Sequence, residues 1–131
     1  MLKVVVAADE SAYQANADLA ALLLAQGDTA GAMEAMERAV YINPFAPEMH
    51  AALAALAALR GDHVRRVRER EAVVALDPVD KAEALYQLAM AYRDAGDPAK
   101  AKGAVLRALE DAPNFGKAQD LLLALVDGRK P

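Results

Sequence analysis

The side chains able to do chemistry are few and poorly grouped. His50 and His63 are the only histidines, and no carboxylate–histidine spacing surrounds either, so a metal would lack ligands. The chain has no cysteine, which removes disulfides, zinc thiolates and a cysteine nucleophile. Ser11 is the only serine, and with Gln14 three residues on it reads as a capping box at a helix start. The Gly-Asp turns fall between helical patterns rather than after a strand, so the chain has no Gly-rich phosphate-binding loop. Carboxylates are plentiful but lie on faces that read as solvated. These residues imply no catalytic centre, no metal and no cofactor, and the expectation is that the chain is not an enzyme.

One group of like charges stands out. Arg65, Arg66, Arg68 and Arg70, with Arg60 and His63 beside them, form a basic run interrupted by Asp62, Glu69 and Glu71. It could present an anion- or nucleic-acid-binding face. Against that, Arg65–Glu69 and Arg68–Glu71 have helical pair spacing, and no aromatic side chains interleave for base stacking. The net charge of −4 attracts neither nucleic acid nor an anionic membrane. Nucleic acid is therefore an unlikely partner.

The elements that hold these residues follow a repeated grammar. Gly27-Asp28, Gly61-Asp62 and Gly96-Asp97 are turns; Pro44, Pro78 and Pro113 are stops; both ladders step by 34 and then 35 residues. Two independent marks on one period are the signature of a stacked repeat. At 131 residues the chain is one domain. It is 56% hydrophobic but only 5% aromatic, so small side chains supply its apolar surface, as suits repeats that bury themselves against their neighbours. The pattern predicts an all-α solenoid of seven helices. Residues 1–10 are an extended or frayed arm, 11–46, 47–80 and 81–114 are three helix-turn-helix units, 115–128 is a capping helix ended by Gly128, and 129–131 is a tail. Residues 48–60 are Ala and Leu on nearly every face, the pattern of a helix buried on several sides. Val64, Val67, Val74 and Leu76 form the expected apolar stripe of the next helix. No segment is long enough to cross a membrane.

The units resemble the tetratricopeptide repeat. Leu85, Leu88-Ala89, Tyr92, Gly96, Ala101, Val105, Ala108 and Pro113 carry that family's pattern almost completely. Leu19-Ala20, Leu23, Gly27, Ala32, Met36, Ala39 and Pro44 carry most of it, with Asn16 departing at the large first position. In the middle unit Leu53-Ala54, Gly61 and Pro78 fit, whereas His50, Ala57, Arg66, Arg70 and Val73 depart. Arg66 stands where a small residue belongs, and is expected to snorkel its charge to water with a slight rotation of its helix.

The resemblance implies a right-handed superhelix with a concave groove lined by the first helix of each unit. Ala17, Ala21 and Leu24, then Ala51, Ala55 and Leu59, then Tyr86, Met90 and Arg93 are expected to face it, with Asp18, Glu48 and Glu83 as acidic entries. Such a groove suits an apolar or helical segment of another protein. One branch of the family grips acidic chaperone tails with basic groove residues. The matching positions here are Ala17, Ala21, Ala52, Glu83 and Gln87, none of them basic, so that specificity is not expected. The alternative reading is a structural or self-association module, including a homo-oligomer or a terminal domain of a larger enzyme or secretion-related protein. Compartment is open: cytoplasmic by default, periplasmic if the chain is part of an exported protein.

Overall fold

The computed structural model describes residues 2–127, so Gly128 and the tail 129–131 lie outside the described residues. Seven helices account for nearly all of them: α1 (Leu2–Ala25), α2 (Thr29–Ile42), α3 (Pro47–Leu59), α4 (His63–Ala75), α5 (Lys81–Asp94), α6 (Pro98–Asp111) and α7 (Gly116–Asp127). Contacts are densest within the hairpins α1–α2, α3–α4 and α5–α6 and thinner between them, thinnest of all between α2 and α3. This is an α-solenoid, each helix resting on its neighbours in sequence.

The punctuation acts as its chemistry dictates. Gly27, Gly61 and Gly96 have φ of +80°, +71° and +83°, the left-handed geometry that ends a helix and that a Cβ disfavours. The aspartate after each glycine accepts a hydrogen bond from the backbone N–H three residues on: Asp28 from Gly31, Asp62 from Arg65, Asp97 from Lys100. Asp80 does the same for Glu83. The end of α4 differs, because Asp77 itself takes φ +54° just before Pro78, a conformation Asp tolerates better than most residues.

The N-terminal arm is corrected. Helix α1 starts at Leu2 rather than at a cap near Ser11, so residues 2–10 continue one 24-residue helix. No Gly or Pro interrupts 2–26, and the propensity cost of each valine is only a few tenths of a kcal/mol, roughly. Ser11 therefore lies inside the helix and caps nothing. At the other end, α7 starts at Gly116, one residue past the expected start at 115, and the Phe115 carbonyl accepts from the Gln119 N–H.

The core is built of small residues and comes in two clusters. Ala20, Ala32, Met33, Ala35, Met36, Leu53 and Leu56 join α1, α2 and α3. Leu85, Leu88, Ala89, Ala104, Val105, Ala108, Ala118 and Leu121 join α5, α6 and α7. Helix α4 supplies a buried residue to neither. Its buried residues are Val73 and, against expectation, Glu69, while Val64 is exposed. Helix α3 is not enclosed on every side either: Ala55, Ala58 and Leu59 are exposed. Val126 of α7 is also exposed.

Candidate functional site

The residues expected to face a groove lie on the less buried sides of α1, α3 and α5. Along α3, His50, Leu53, Ala54, Leu56 and Ala57 are buried. The complementary stripe of Glu48, Ala51, Ala52, Ala55 and Leu59 is partly or fully exposed, and Leu59 is 82% exposed. On α1, Ala17 is partly buried, Ala21 exposed and Leu24 exposed. On α5, Tyr86, Met90 and Arg93 are partly buried beside the buried Leu85, Leu88 and Ala89. Helices α1 and α3 thus turn one face to the core and leave most of the predicted residues exposed, whereas on α5 Tyr86 and Met90 also pack against the core. A solvated helix normally carries charge on its open side; α3 carries there only Glu48.

Side-chain contacts tie this face together. The Tyr13 hydroxyl donates to Glu48 Oε1 at 3.3 Å, linking α1 to α3. Burial first, then the Glu48 charge and hydrogen bond, push the Tyr13 phenol up from its ordinary value. Gln14 donates to Asp18 at 2.9 Å, and Gln87 donates to Glu83 at 2.9 Å. Tyr86 lies against Phe115, with ring centroids 5.4 Å apart, and Lys117 Nζ sits 5.8 Å from its centroid. Sequence reasoning passed over Phe115 and Lys117. Phe115 comes just before α7 and Lys117 lies in its first turn, and nothing local in the sequence brings either against Tyr86. The recesses are shallow and open: one lies beside Asn16, Glu37, Arg38 and Tyr41 between α1 and α2, and others are lined by Tyr13 and Gln14 and by Glu83 and Phe115. A solenoid groove is an open trough, so it is judged by its exposed apolar face rather than by enclosure.

The arginine run is drawn into the protein. Arg65 binds Glu37 at 3.2 Å and Glu69 at 3.2 Å. Arg66 Nη1 donates to Asp94 Oδ2 at 2.6 Å, and its side chain is only 11% exposed. The snorkelling expectation is thus corrected: Arg66 finds a carboxylate on α5 instead of water. Arg70 is partly buried, and its Nε is buried with no hydrogen-bond partner. Burial, and then the Arg66 charge, lower its pKa from the guanidinium value, while Glu83 opposes them. Arg68 is left, 67% exposed and 4.0 Å from Glu69. Glu71, its expected partner, accepts instead from the Tyr92 hydroxyl at 2.7 Å; burial and that bond push Tyr92 up to about 12. Arg65, Arg66 and Arg70 therefore do not form one open basic face with Arg68.

Two expected results follow. Arg70→Met places at this position the residue that Met36 supplies one unit earlier, and should stabilise the fold by about 1–3 kcal/mol in chemical denaturation by removing the orphaned donor. For Asp94, burial raises the carboxyl pKa, but hydrogen bonds from Arg93 and Arg66 outweigh it and the net value is lowered. A depressed folded pKa contributes stability that is present above the unfolded value, roughly 3.9, and is lost as pH falls through the folded one. Acid titration of stability should therefore be flatter in Asp94→Asn below about pH 4.

His50 holds the most buried polar contacts. It is 7% exposed, with Nδ1 2.6 Å from Glu69 Oε2 and Nε2 2.7 Å from the Pro44 carbonyl oxygen. An oxygen faces each ring nitrogen, one from α4 and one from the end of α2. Glu69, 5% exposed, also accepts from Arg65, which reaches Glu37. The chain Pro44–His50–Glu69–Arg65–Glu37 spans the α2–α3 junction, where backbone contacts are thinnest. Gln119 repeats the His50 device, donating to the Pro113 carbonyl at 2.9 Å. Both lie six residues after a stop proline, a spacing visible in the sequence. Among the described residues no group of histidines and carboxylates could hold a metal ion, and no helix is long and apolar enough to cross a membrane.

The geometry has relatives. Models of the tetratricopeptide repeat match residues 13–45 and 82–115, together just over half of the chain. The two stretches flank the unit that carries Arg66 and Arg70. No curated protein sequence matches. Among solved structures, MamA superposes with a TM-score of 0.77 at 21% identity, over 96% of this chain and 73% of that one. The N-terminal domain of stress-induced protein-1 (STI-1) from C. elegans gives 0.76 at 18% identity, over 87% and 94%. The first such repeat domain of Spaghetti (RPAP3), bound to the HSP90 peptide SRMEEVD, gives 0.73 at 17% identity, over 90% and 93%. At these identities the likeness is one of fold.

Proposed function

The chain belongs to the tetratricopeptide repeat family, and from that premise we propose that it is an interaction scaffold whose groove takes up an apolar, helical segment of a partner protein. The observation that carries the proposal is the open face of α3, where Ala51, Ala52, Ala55 and Leu59 meet solvent with one charge among them. Exposed apolar surface of this kind is stable in water only at a cost that a partner relieves. Small side chains along the central helix leave room for a helix to lie close. Met90 and Tyr86 stand at one side as an adaptable and an anchoring contact. The Spaghetti neighbour holds an acidic peptide. Here the corresponding places carry no basic side chain, so a partner of that chemistry is not proposed.

The test is direct binding of a labelled amphipathic helical peptide to the wild type and to Ala55→Gln and Met90→Gln. Both replacements are neutral; Ala55 is exposed, whereas Met90 is half-buried against the α5–α7 core, so the urea midpoint of Met90→Gln is measured alongside, and each variant should bind about tenfold more weakly. Equal binding by all three proteins rejects the groove. A second reading, self-association, is favoured by Leu123 and Val126, 61% and 60% exposed on α7. Light scattering over a concentration series, with Leu123→Lys as the control, decides it: a monomer at every concentration discards that reading.

A further inference from the structure

The charges around the apolar groove are one-sided. Asp18, Glu48 and Glu83 rim it from α1, α3 and α5, and each is hydrogen-bonded only to a neutral group, from Gln14, Tyr13 and Gln87 respectively. Among the described residues none takes part in an ion pair, although Arg70 lies near enough to Glu83 to feel its charge. The cations nearby are engaged. Arg93 is bound to Asp94 at 2.9 Å, and Lys117 lies over the Tyr86 ring. Glu48 and Glu83 sit in first helical turns, where the helix dipole favours a carboxylate. Asp18, in the middle of α1, has no such reason to be there.

Between these carboxylates the surface is apolar, with large side chains at its margins: Leu24 is 39% and Leu59 82% exposed. On the groove reading above, which this inference rests on, we infer that the occupant is a basic amphipathic helix. Its apolar face lies on the alanine floor and its Lys or Arg side chains lie along the carboxylate edge. Complementary charge fixes register and raises the encounter rate, whereas an acidic helix would be repelled on three sides. This is opposite in sign to the peptide held by the Spaghetti neighbour.

The probes are three labelled 18-residue peptides: a Leu/Lys sequence with leucines at helical spacing, the same sequence with Glu for Lys, and a scrambled Leu/Lys peptide without an apolar face. Fluorescence anisotropy should rank the Lys helix at least about tenfold tighter than either of the others. Its affinity should fall with salt. It should fall about tenfold more in the double variant Glu48→Lys/Glu83→Lys, but not in Glu110→Lys/Asp111→Lys on the exposed end of α6. Equal binding of the Lys and Glu helices, or an equal loss in both double variants, overturns the charge inference and leaves the groove standing. Failure of both helical peptides to bind any better than the scrambled one overturns the groove reading itself.

Discussion

Glu69→Ala should destabilise the fold by about 3–5 kcal/mol, the cost of removing one partner from a buried ion pair. The carboxylate is 5% exposed and accepts from His50 and from Arg65. Removing it strands the His50 ring, 7% exposed, with a carbonyl on one nitrogen and nothing on the other. Arg65 fares better, because Glu37 remains 3.2 Å away. A domain of this size has about 5–15 kcal/mol of stability in all, so the loss should be plain as a lower denaturation midpoint. The double replacement His50→Leu/Glu69→Leu should recover most of it, since two apolar groups of similar shape leave no buried charge uncompensated. If the single variant were as stable as the wild type, the network would be incidental to the α2–α3 junction.

Leu53→Ala is expected to cost about 3 kcal/mol, within the roughly 2–5 kcal/mol seen for leucines removed from cores. Leu53 is fully buried among Ala20, Ala32, Ala35, Met33, Met36 and Leu56. The alanines cannot close the void, because their helices already touch through them. Met33 and Met36 are flexible enough to move partly into it, which keeps the cost below the upper limit. Leu59→Ala, six residues on along the same helix but 82% exposed, should change stability by less than about 0.5 kcal/mol. Urea midpoints for the two variants give the comparison; similar losses would contradict the assignment of buried and open faces on α3.

Much of this architecture is legible in the residues because its signals are local. A glycine that must take positive φ, an aspartate that must meet a free N–H, and a proline that must stop a helix act within a few residues of themselves. So Gly27-Asp28, Gly61-Asp62 and Gly96-Asp97 announce the hairpins, and Ala32, Met36, Ala101 and Val105 announce the faces that meet. Misreadings arise where the deciding partner is distant in sequence. Glu69 looks like a solvated charge until His50, nineteen residues earlier, is brought against it. Arg66 looks like a snorkelling side chain until Asp94 arrives from α5. Helix α3 looks enclosed because its composition says so, and only the stacking order shows that one side is left open. At the N terminus, residues 2–10 look like an extended or frayed arm because consecutive valines give no helical period, yet the helix penalty of valine is small.

The placement of α4 bears on how the molecule comes apart. In a stack whose members touch only their neighbours, cooperativity is carried by each junction in turn. The buried residues of the two apolar clusters lie on either side of α4, which adds only the partly buried Val74 to the second, and ion pairs supplement that thin apolar link: Glu69 with His50, Arg65 with Glu37, Arg66 with Asp94. Coupling of that kind responds to ionic strength in its exposed members, whereas the two apolar halves do not. The single melting transition expected in dilute buffer should therefore broaden in concentrated salt, as the amino-terminal hairpins and the carboxy-terminal ones begin to unfold on separate schedules.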